Sequence, residues 1–269
     1  MKLDYGNITS PYPIPLTIGT IRKPTLGEIA DPNVIGFYKF AVYQSLLILT
    51  PQEYYQKLGD QESYYFSLSD EEKSNLTMFR AIEHDENLQE LYTSMFNLFF
   101  IESVIYNKNM FVILEETDQT HEKRSIKGLI TEQYFWDVLD IIGQICMVHT
   151  DGNDFQKEMS KMKFKNKKAK KIYEKMHNTP QKSGHENRDN INFTIPNIIS
   201  AVCARHPSIN YINVYQLTVC QLWDIFNRLR EDVFFDITKT RASVWGDEKN
   251  VFNPESWYKN KYDGKKESA

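Results

Sequence analysis

Signatures of the common catalytic designs are missing from this chain. Its 269 residues contain no Gly-x-x-x-x-Gly-Lys phosphate loop, no Gly-x-Ser-x-Gly elbow and no His-Glu-x-x-His helix. Those absences exclude the usual nucleotide-cradling, serine-nucleophile and zinc-protease layouts; a nuclease site could still be assembled from scattered carboxylates. Glu115, Glu116 and Asp118 fall in a hairpin turn, where solvent exposure explains them better than paired acid and base work. Cysteine is scarce: Cys146, Cys203 and Cys220 are too few for a disulfide scaffold and sit in apolar helical contexts, which suits a reducing compartment. The start, MKLDYGNITSPYPIP, lacks the basic and apolar regions of a signal peptide, and no run approaches the roughly 20 apolar residues of a membrane span. The chain therefore reads as cytosolic, with the Asn-x-Thr triplets at Asn7, Asn75 and Asn192 out of reach of glycosylation. There is no internal repeat.

What is present is core-forming material and an uneven charge. With 41% hydrophobic and 13% aromatic residues the chain can bury a substantial core. The net charge of −4 conceals a segment, Gln156 to Lys182, with ten lysines against two glutamates. The rest of the molecule is acidic and would repel DNA, which argues against nucleic acid as a partner and for an acidic protein surface. Within that segment, KMKFKNKKAKKIYEKM offers only Phe164 and Tyr173 for base stacking and too narrow an apolar face for a membrane. It reads as a solvated basic helix or linker.

Patterning predicts a mainly α fold with a small β-hairpin, an α+β arrangement of helical units joined by that basic linker. Residues 1–30 read as an extended arm because prolines 11, 13, 15 and 24 remove backbone donors. Residues 31–150 read as a helical domain. Its start signals are Asp31 before Pro32, Thr50 with Glu53, and Ser69 with Glu72. Leu88 to Tyr106 is dense enough in apolar residues for one buried helix. MFVILEE and RSIKGLI predict a hairpin near 110–130, after which Thr131 caps a helix with Phe135, Leu139, Ile142 and Cys146 at helical spacing. Residues 151–192 form the basic helix or linker. Residues 193–269 read as a helix capped by Thr194, a longer helix, and a polar tail holding Trp245 and Trp257 with a disordered end.

Two constellations compete with plain packing. Cys146 with His149 and Cys203 with His206 are Cys-x-x-His units that two facing helices could close around zinc, although ordinary core cysteines are the simpler reading and no metal or cofactor is expected. Trp245 and Trp257, in a polar setting, are either docked on the chain's own core or anchors for a partner. The residues assigned to partner binding are Lys167, Lys168, Lys171, Tyr173, Trp245 and Trp257.

The stretches FKNKKAKKIYEKM, TIPNIISAVCARHPSINYINVYQLTVCQLWDIFNRL and VWGDEKNVFNPESWYKN resemble tail assembly chaperone-like proteins of tailed phages and prophages of Gram-positive hosts. The resemblance spans about residues 130 to 260, and the Pro-rich start is similar too. It implies a non-catalytic role in tail morphogenesis, holding the tape measure protein or tail tube subunits in the host cytoplasm, with a homo-oligomer compatible and no membrane involved. Because such chaperones are usually smaller, it also leaves room for a structural virion protein of the tail or neck. An unrecognised nucleic-acid binder or nuclease is the third reading.

Overall fold

In the computed structural model, residues 2–58, 64–116, 124–148, 194–246 and 252–258 are described. The chain opens with α1 (Tyr5–Thr9), the strands β1 (Ile14–Leu16) and β2 (Gly19–Ile21), and α2 (Leu26–Ala30). Five helices follow: α3 (Gly36–Leu46), α4 (Pro51–Leu58), α5 (Tyr64–Ser67), α6 (Asp70–Asn75) and α7 (Met78–Glu83). Next come α8 (Glu86–Phe99), β3 (Ser103–Asn107), β4 (Met110–Glu116), β5 (Arg124–Ile130) and α9 (Glu132–Ile145). Beyond the lysine-rich region lie α10 (Ile195–Arg205), a 3-10 turn at Val214–Gln216, α11 (Val219–Trp245) and a second 3-10 turn at Ser256–Tyr258. The fold is mainly helical α+β; among the described residues the strands form one two-stranded antiparallel sheet, β1-β2, and one three-stranded antiparallel sheet, β3-β4-β5.

Local chemistry explains most boundaries. Ser69 and Glu72 form the capping box that starts α6, and Thr50 and Glu53 exchange the same bonds at α4. A third box, Thr25 with Glu28, starts α2 inside the Pro-rich segment that reads as extended. That segment instead turns back on itself: Ile14 pairs with Ile21 in the β1–β2 hairpin.

Two expected boundaries shift. Asp31 does not start a helix. Its backbone N–H closes the end of α2 by donating to the Gly27 carbonyl, its own carbonyl accepts from Val34, Ile35 and Gly36 in the turn that follows, and α3 begins only at Gly36, whose φ of 76° lets the chain reverse there. The apolar run from Leu88 to Tyr106 is not one helix either. It breaks after Phe99, and Val104 and Ile105 join β3, where they pair with Ile113 and Val112. Isolated apolar density does not distinguish helix from strand, and the open edge of β4 decided the matter.

One core unites both ends of the described chain. Phe135 of α9 lies 5.3 Å from Tyr92 and 5.3 Å from Phe79, ring centre to ring centre, and Phe96 meets Phe111 edge-on at 4.8 Å. All five are buried, as are Ile198, Val202 and Leu222 of α10 and α11 in the same cluster. Tyr92 Oη donates to the Leu46 carbonyl at 2.9 Å, so the buried hydroxyl is satisfied. The backbone N–H of Leu26 donates to Leu217 O at 2.8 Å, and Gln221 Nε2 donates to Thr9 O at 2.9 Å, tying the N-terminal residues to the start of α11. No helix of the described residues is long and apolar enough to cross a membrane.

Candidate partner-binding site

Thr218 starts α11 with a capping box to Gln221, and the first turns bury Val219, Cys220 and Leu222. From Trp223 onward the helix is only partly covered. At this transition a cleft of about 400 Å³ opens, lined by His206 at the end of α10, by Asp224, Arg228, Leu229 and Asp232 of α11, and by Trp257 and Tyr258 of the last turn.

A polar network braces its floor. Tyr5 Oη donates to Asp224 Oδ2 at 2.9 Å, reaching across from α1. Arg228 Nε stands 3.7 Å from Asp224 Oδ1, one helical turn away, and Arg228 Nη1 donates to the Trp257 carbonyl at 3.4 Å. Burial, reinforced by the bond to Asp224, pushes the Tyr5 hydroxyl above its ordinary pKa. His206 Nδ1 accepts from the backbone N–H of Ser208 at 3.2 Å and of Ile209 at 3.1 Å, which leaves the ring proton on Nε2. Arg228 thus pins the last turn, whose rings remain half exposed: Trp257 and Tyr258, a T-shaped pair 5.1 Å apart, are each 52% accessible. Such an arrangement offers an aromatic platform with mixed charge, suited to gripping an apolar or aromatic side chain.

The structure separates the two tryptophans singled out above. Trp257 is held at Arg228, roughly 25 Å along α11 from Trp245, which ends the helix at 76% exposure. Lys167, Lys168, Lys171 and Tyr173 lie outside the described residues, as do His149 and the tail beyond Tyr258. Among the described residues no group of three or more His, Cys, Asp or Glu is placed to hold a metal ion. Cys146 is buried and Cys203 half-buried, while His206 is engaged by backbone. Burial pushes the Cys146 thiol far up, with neighbouring Cys220 adding to the shift, and Cys220 itself is pushed up to about 12, again mainly by burial.

Sequence reasoning missed Asp224, Arg228 and Tyr5. The signal for the first two was the Asp-x-x-x-Arg spacing on a helix; the third comes from the other end of the chain and carried none.

Residues 183–261 match the model of a family described as the YomV second domain. YomV is a prophage-encoded protein, and the likeness points to a phage origin for this chain. The match covers under a third of the sequence, yet it includes α10, α11, the last turn and every residue lining the cleft. No curated protein and no solved structure matches the chain.

Proposed function

We propose that this phage-associated protein is a non-catalytic tail morphogenesis factor, a tail assembly chaperone that holds tape measure or tail tube subunits through its C-terminal helical region. The observation that carries the reading is the half-exposed Trp257–Tyr258 platform, braced by Arg228 inside the segment similar to the YomV second domain. Chaperones of polymerising subunits need accessible aromatic surface that a rigid scaffold keeps from collapsing onto its own core. The lysine-rich region adds a cationic element that favours acidic partner surfaces at low salt.

The test is to titrate purified full-length protein with the tail tube subunit and with tape measure fragments from the same phage, alongside Trp257→Ala. Loss of at least ten-fold in affinity with unchanged urea unfolding supports the reading. Binding indifferent to Trp257, or cleavage of DNA in magnesium or manganese abolished by a carboxylate substitution, overturns it. Mass spectrometry of purified virions separates the chaperone from a structural protein of the tail or neck: the former is absent from mature particles, the latter stoichiometric.

A further inference from the structure

The distal half of α11 carries a second surface, distinct from the cleft. Residues Arg230, Phe234, Ile237, Arg241, Val244 and Trp245 are all exposed, and at 100° per residue they fall within a stripe about 100° wide. The segment 252–258 packs on roughly the opposite face: Phe252 meets Phe235 at 5.5 Å between ring centres, and Trp257 meets Arg228. The stripe is thus left uncovered by the turn that builds the cleft. Its apolar members are 60% (Phe234), 61% (Ile237), 63% (Val244) and 76% (Trp245) accessible, about 500 Å² of apolar surface together.

We propose that this stripe pairs with the same stripe of a second copy, antiparallel across a two-fold axis at Ile237. The order of residues along it is what commits the occupant. In an antiparallel pair, one register sets Ile237 beside the partner copy's equivalent residue, and that same register brings Phe234 to within one residue, about 1.5 Å of rise, of the level of Arg241 and Arg230 equally near that of Trp245, each twice by symmetry. Four guanidinium–aromatic contacts then flank an aliphatic centre, and no arginine faces another. A parallel pair would instead set Arg230 against Arg230 and Arg241 against Arg241. Arg230 already lies over the Phe226 ring of its own helix at 5.7 Å, so the same geometry is in use one turn earlier. Two stripes remove roughly 1,000 Å² of apolar surface, and the arginine stems add to it, which reaches the low end of specific interfaces and gives a reversible, micromolar dimer.

Sedimentation equilibrium of the full chain tests this, with wild type and two variants. Wild type shows a monomer–dimer equilibrium, Ile237→Asp weakens it at least ten-fold, and Trp257→Ala, on the other face, leaves it unchanged. Because Ile237 is exposed, the aspartate does not threaten folding, which urea unfolding verifies. Register is read by oxidation: Ile237→Cys gives a disulfide-linked dimer, whereas Phe234→Cys does not, since its two copies would be offset by roughly 10 Å. A chain that stays monomeric at about 0.2 mM, a dimer indifferent to Ile237→Asp, efficient cross-linking at 234 rather than 237, or a monomer that uses the stripe to bind a tail subunit would each overturn the proposal.

Discussion

A Cβ placed on Gly128 would stand 2.7 Å from the Ile18 Cα, so the tip of the β1–β2 hairpin packs backbone to backbone against β5. No side chain is flexible enough there to yield. Gly128→Ala should therefore force the hairpin off the sheet and cost about 1–3 kcal/mol, the usual penalty for overpacking. A urea midpoint equal to wild type would show that the hairpin does not rest on Gly128.

Lys23 is 6% exposed, and its ammonium donates to the carbonyls of Asn7 and Ser10 at the end of α1. Burial lowers its pKa from the ordinary lysine value. Lys23→Met keeps the aliphatic bulk but leaves both acceptors without their donor. The expected loss is about 1–3 kcal/mol, with early hydrogen exchange in residues 5–10; retention of full protection there would count against the role.

Acid should expose two carboxylates. Burial raises the pKa of Glu28, but the Thr25 N–H and the Arg22 guanidinium outweigh it and hold the group below its ordinary value. Glu102, whose side chain is 6% exposed, is held down in the same way by Lys127 at 2.7 Å and the Thr20 N–H at 2.9 Å. A depressed folded pKa means that the unfolded chain binds the proton first as pH falls. Both contributions are thus fully present above the ordinary value of 4.5 and are lost as pH drops through the folded values. Stability measured between pH 6 and 3 should fall less steeply in Glu28→Gln/Glu102→Gln than in wild type; identical slopes would refute this.

Thiol labelling should be selective. Cys146 and Cys220 are buried and their thiols are pushed up, so neither forms the reactive thiolate near neutral pH, while half-buried Cys203 is the accessible one. A colorimetric thiol reagent at pH 8 should report no more than one cysteine in the native protein and three after unfolding. Rapid native modification of two or more would contradict the packing described.

Much of the local architecture was legible in the sequence because its causes are local. The Ser69–Glu72 and Thr50–Glu53 boxes, the strands of residues 110–116 and 124–130, and the spacing of Phe135, Leu139, Ile142 and Cys146 are all short-range signals, and each element stands where they place it. The same holds for the mainly helical α+β class. The candidate site was half legible: Trp257 drew attention as a large aromatic in a polar tail, but its bracing by Arg228 did not.

What only the tertiary structure decided are the features whose partners lie far along the chain. Val104 and Ile105 became a strand because β4 offered an unpaired edge, and pairing along that edge, with Val104 buried beneath it, outweighed the helical density of the run before them. The Pro-rich start became a hairpin because Ile21 and Ile14 found a core against Phe100 and because Gly128 leaves room for Ile18. Lys23 and Tyr5 acquired their roles from carbonyl groups and a carboxylate that no periodicity could bring to them. A sequence determines which residues seek burial and where helices begin; which buried surfaces meet depends on a global packing solution, in which contacts hundreds of residues apart compete on equal terms with those one turn away.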